Sequence, residues 1–100
     1  MNITVLNKIE SGWVKLDWSE WIDRINLSDA DLEAVVDTID NFKKNKRAKE
    51  LAIFKFRFMP AYITVEKKDY AALLDTICNI LIKRELYEGC QRIMEIKQKL

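Results

Sequence analysis

Lys43, Lys44, Lys46, Arg47 and Lys49 run into Phe54-Lys55-Phe56-Arg57-Phe58, and this is the one stretch whose residue types suggest a ligand class. Cations for phosphates beside rings for base stacking are the ingredients of a surface for RNA or single-stranded DNA. A strand, however, sends successive side chains to opposite faces. Phe54, Phe56 and Phe58 then share one face and Lys55 and Arg57 the other, so helices laid on the ring face would turn the phenylalanines into core. The sequence pI of about 7.7 is also far below that of a dedicated nucleic-acid domain. Nucleic acid is therefore the second choice of ligand, with Lys43, Lys44, Lys46, Arg47, Lys49, Lys55 and Arg57 as its candidate contacts.

Acid chemistry is the other candidate. Asp29, Asp31, Glu33, Asp37 and Asp40 follow one another at spacings that read as caps and the solvated face of a helix. The first four are candidate contacts for a basic protein partner, and Trp13, just after Gly12, is a candidate aromatic anchor. Catalysis finds little support. The chain has no histidine, the commonest general base. Cys78 and Cys90 fall in apolar stripes, where burial raises a thiol pKa. Gly12 and Gly89 are isolated, so no phosphate loop is expected. No metal or cofactor spacing is present, and the expectation is no enzyme, no cofactor and no metal.

Charge is unevenly spread along the 100 residues. Residues 1–42 hold three basic and nine acidic side chains, residues 43–57 seven basic and one acidic, and residues 58–100 seven and six. Such blocks either form two opposed surfaces or neutralise one another in the fold. Neutralisation of the acidic helix by the adjoining basic block is the preferred expectation. The two cysteines, twelve residues apart, read as small buried side chains in a reducing compartment, with a disulfide across a helical hairpin as the lesser alternative. The N-terminus lacks the pattern of a secretory signal and no run is long enough to span a membrane, so no membrane and a cytoplasmic setting are expected.

These groups need elements to position them. Ile3 to Ile9 and Val14 to Trp18 suggest strands around a turn at Glu10-Ser11-Gly12, an N-terminal hairpin. Asp17 and Glu20 have the spacing of a capping box, predicting a short helix over 18–26. Ser28 and Asp31 form a second such pair, with Leu27 and Leu32 as a staple. The stripe Leu32, Val35, Val36, Ile39, Phe42 predicts a helix over 28–42. From Ala52 the period becomes two. A strand to Phe58, an interruption at Pro60 and β-favouring residues 62–65 predict a second hairpin. From Tyr70 onward helical spacing returns, broken near Arg84-Glu85, which predicts a tightly joined helical pair. Gly89 weakens its helix by roughly 1 kcal/mol, so a close approach of another backbone is expected there.

The segment Glu85-Leu-Tyr-Glu-Gly-Cys-Gln-Arg-Ile-Met-Glu-Ile-Lys-Gln-Lys-Leu100 resembles the second helix of the helical hairpin called the UVR motif, in its order of aromatic, acid, small and apolar-basic positions. The resemblance covers about thirty residues, and Met94-Glu95 stands where that family carries an arginine-aspartate pair. It implies a hairpin that docks on another protein.

The expected fold is one α+β domain over residues 1–100, a small antiparallel sheet of two hairpins covered by helices, with a C-terminal helical pair. The expected role is a non-enzymatic interaction or regulatory module, an adaptor that binds another protein or a second copy of itself as a homodimer.

Overall fold

The computed structural model describes residues 12–44, 49–56 and 60–100. The strand expected over residues 3–9, and with it Lys46, Arg47, Arg57 and Phe58, lies outside the described residues. Element order is β1 (Val14–Asp17), α1 (Trp18–Trp21), α2 (Asp29–Phe42), β2 (Glu50–Lys55), β3 (Ala61–Glu66), a 3-10 turn (Lys67–Asp69), α3 (Tyr70–Lys83) and α4 (Tyr87–Gln98). The fold is α+β, as expected. No helix among the described residues is long and apolar enough to cross a membrane.

The sheet departs from the expectation of an all-antiparallel arrangement. Its strand order is β1-β3-β2. β2 and β3 form the antiparallel hairpin read from residues 52–65. β1 instead runs parallel to β3, with Val14 opposite Ala61 and Asp17 opposite Thr64. A parallel pair needs a long crossover, and the chain supplies one through α1, α2 and β2. Local residue preferences mark β1 as a strand but carry no information about which distant strand it meets.

Register explains the burial. Leu51 pairs with Val65 and Phe54 with Ile63, and the register shifts between Ala52 and Phe54. This bulge sets both Ile53 and Phe54 against one partner residue, and both are buried. Leu51, Ile53, Phe54, Ile63 and Val65 join the same core as the helix residues Val35, Ile39, Leu73, Ile77 and Ile93. Phe56 packs partly into that core, its ring 5.5 Å from Trp21 in an edge-to-face contact. The alternation read for Phe54 and Phe56 against Lys55 therefore holds. The opposite side of the sheet carries Lys15, Tyr62 and Lys55, and Lys15 reaches Glu50 at 3.1 Å.

Helix boundaries follow their caps. The Ser28 hydroxyl accepts from the Asp31 N–H at 3.1 Å and the Asp31 carboxylate accepts from the Ser28 N–H at 3.3 Å, so α2 starts on the reciprocal cap predicted for it. The cap predicted at Asp17 is absent: Ser19 donates its hydroxyl to that carboxylate, and Asp17 makes no cap bond. α1 starts where expected but is a single turn, Trp18–Trp21, not the helix over 18–26 expected from spacing.

The α3–α4 turn is a Schellman closure. The Leu86 N–H donates to the Leu81 carbonyl at 2.9 Å and the Glu85 N–H to the Ile82 carbonyl at 3.0 Å. Glu85 occupies the left-handed position, φ 61°, where glycine is favoured. The helices then run antiparallel, with Gly89 beside Leu81 and Lys97 paired with Asp75. A Cβ on Gly89 would lie 2.9 Å from Leu81 Cδ1, so the close approach expected at this glycine involves a side chain, not a backbone.

Two expectations follow. Gly89→Ala gains little stability despite an intrinsic helix preference of about 1 kcal/mol, whereas in a Leu81→Ala background it gains most of that amount, as read from urea midpoints. Tyr70 is 1% exposed and its hydroxyl has no partner among the described residues, with burial raising its pKa. Tyr70→Phe should therefore leave stability unchanged or raise it by about 1 kcal/mol. A loss of that size would reveal a hydrogen bond to the hydroxyl.

Candidate functional site

α2 and the α3–α4 hairpin meet along a line that does not close fully. Where the start of α2 faces the hairpin turn, a groove of about 700 Å³ remains. Leu32, Val36 and Leu81, all buried, contribute its apolar lining. At its mouth Leu86 and Tyr87 stay 37% and 62% exposed, which sets apolar surface in water beside an apolar floor. Charge around it is unequal. Asp29, Glu33, Glu85 and Glu88 line the groove against the single guanidinium of Arg92.

The arginines of the hairpin hold it to α2. Arg84 donates to Asp29 at 2.7 Å and to the Leu27 carbonyl at 2.8 Å. Arg92 pairs with Asp37 and, at 3.5 Å, with Asp40. Among the described residues the acidic helix is thus partly neutralised, chiefly by the C-terminal hairpin. From the adjoining basic block, Lys43 is the contributor among the described residues, through Asp40. The Asp37 contact first, then the charge of Asp40, raises the Arg92 pKa further. Glu33, Glu85 and Glu88 have no ion pair among the described residues, so their charge faces the groove uncompensated.

The candidate partner contacts divide between two places. Asp29 and Glu33 line the groove. Asp31 is engaged in the cap of α2 and Asp37 in the pair with Arg92. Trp13 lies apart from them, on the side of the sheet that carries Tyr62 and Lys55. Half-buried, it sits 6.4 Å from Tyr62 with Lys55 Nζ 5.5 Å from its ring. Of the candidate nucleic-acid contacts, Lys44, Lys49 and Lys55 are exposed, while Lys43 is tied to Asp40. Phe54 is 1% exposed and Phe56 abuts Trp21, so neither offers a free face for stacking a base. Glu85, Leu86, Tyr87 and Glu88 escaped the sequence reading as a site. Their signal was available in two apolar residues flanked by acids at a break in helical spacing.

No cluster of His, Cys, Asp or Glu with the geometry of a metal site occurs among the described residues. Comparison with known proteins adds no constraint, because no family model, curated protein or solved structure matches the chain. The hairpin implied by the resemblance to the UVR motif is present as α3 and α4, with no family match beside it.

The α2 clamp should appear in the acid limb of stability. A hydrogen bond from Lys43, aided by the charges of Lys43 and Arg92, holds the Asp40 carboxyl below its ordinary range. A depressed carboxyl stabilises the fold above its unfolded pKa of roughly 3.9, and that contribution vanishes as pH falls through the folded value. Asp40→Asn should therefore be less stable than the parent at neutral pH. The two urea midpoints should converge as pH falls toward about 2.

Proposed function

We propose that this chain is a non-enzymatic protein-interaction module whose groove between α2 and the α3–α4 turn takes a basic, amphipathic segment of another protein. Glu85 carries the reading. A glutamate at a left-handed helix end costs roughly 1 kcal/mol relative to glycine, and its charge opposes the negative C-terminal end of α3. Two local penalties therefore keep an unpaired carboxylate at the groove mouth. Strain of this kind concentrates at working surfaces. Leu86 and Tyr87 beside it offer the apolar and aromatic contacts that anchor interfaces, and the surrounding carboxylates would select a cationic partner and speed its encounter. The module's regulatory or adaptor role would follow from what that segment belongs to.

The test uses two synthetic helical peptides of one pattern, leucine with lysine and leucine with glutamate, titrated into labelled protein and followed by amide chemical shifts. The lysine peptide should shift resonances around Glu33, Leu86 and Tyr87, with affinity falling as salt rises, while the glutamate peptide should not bind. Glu85→Gly should raise stability by about 1 kcal/mol yet weaken the lysine peptide several-fold. Equal binding of both peptides, or shifts centred on Trp13 and Lys55, would overturn the assignment. Concentration-dependent sedimentation of the free protein that Tyr87→Ser abolishes would give the groove to a second copy instead.

A further inference from the structure

We propose that Cys78 on α3 and Cys90 on α4 are a dithiol pair that forms a reversible disulfide and staples the C-terminal hairpin. They stand opposite one another in the antiparallel register that sets Leu81 beside Gly89 and Asp75 beside Lys97. Gly89, with no side chain of its own, lets α4 come close to α3 at this level. The Cys90 thiol donates across the helix interface to the Cys78 carbonyl oxygen at 3.1 Å, which sets the Cys90 sulfur against the backbone of the residue it would bond. A disulfide needs its two Cβ atoms about 3.5–4.5 Å apart, and the contact of the Cys90 sulfur with the Cys78 carbonyl is the observation that brings the two residues within reach of one another.

The two sulfurs differ in access, and that orders the chemistry. Cys78 is half-buried and Cys90 buried. Burial, with the neighbouring Cys78 thiol, pushes the Cys90 pKa up to about 11. Cys78 is therefore the sulfur that meets an oxidant first. With a small disulfide such as oxidised glutathione, the Cys78 thiolate attacks one glutathione sulfur and displaces the first glutathione thiolate, leaving a mixed disulfide on Cys78. Cys90, losing its proton to solvent, then attacks the Cys78 sulfur and expels the second glutathione thiolate. Two protein thiols are oxidised by two electrons, one glutathione disulfide is reduced, and both released thiolates are protonated. The staple lies within a turn of Leu81 and Gly89, but its formation does not depend on what the groove binds.

The test is equilibration of the folded protein in glutathione redox buffers, followed by acid quench and mass spectrometry. The expected product is a monomer lighter by two hydrogens that yields a cross-linked peptide joining residues 78 and 90. Because a disulfide that fits the native fold is favoured by folding, its equilibrium constant should be about a hundredfold larger in native buffer than in urea. Cys90→Ala should stop at a glutathione adduct on Cys78. An equilibrium constant no larger in native buffer than in urea would sink the proposal. So would a folded protein that stops at the Cys78 adduct, or a covalent dimer in place of the monomeric product.

Discussion

Sequestration of one stripe of α2 governs the rest of this molecule. Leu32, Val35, Val36 and Ile39 are all nearly or wholly excluded from solvent, which fixes how the helix is rotated between the sheet and the C-terminal hairpin. Once that stripe is inward, helical geometry sets Asp29, Asp37 and Asp40 along the flanks. There Arg84 and Arg92 reach them from the turn and from α4. Exposed ion pairs contribute little individually. Here they tie the turn and α4 to α2 beside the groove between them.

The hairpin satisfies its own requirements at two unusual points. Gly89 gives up helix preference so that Leu81 can occupy the space above it, and Glu85 gives up backbone comfort so that α3 can close on a Schellman turn. The first is a packing solution, since the missing Cβ is replaced by a neighbour's methyl group. The second has no such compensation among the described residues. A glycine at residue 85 would close the turn with less strain, so the glutamate side chain there adds surface charge without assisting local structure.

The sheet shows a different balance. Its hairpin between β2 and β3 is a local event, written in alternating residues around Pro60. Its third strand is a long-range event, and the bulge at Ile53 reconciles two buried neighbours with a period of two. Because β1 joins in parallel across a crossover of more than forty residues, nothing within its four residues discloses its partner.

Sequence alone determined the elements whose causes are local: the start of α2 on Ser28 and Asp31, the buried stripe of that helix, the burial of Phe54 and the break between α3 and α4. Each depends on residues within a few positions of one another, where periodicity and capping act directly. The helix expected over 18–26 shortens to Trp18–Trp21, and the Asp17 carboxylate accepts from the Ser19 hydroxyl in place of a cap bond, a pairing that spacing does not show. Tertiary structure alone decided the parallel pairing of β1 and the neutralisation of α2 by Arg84 and Arg92. It also decided the exposure of Leu86 and Tyr87 beside Glu33, and the facing of Cys78 and Cys90. Those depend on which surfaces meet after the core has excluded water, and burial has no preferred sequence separation.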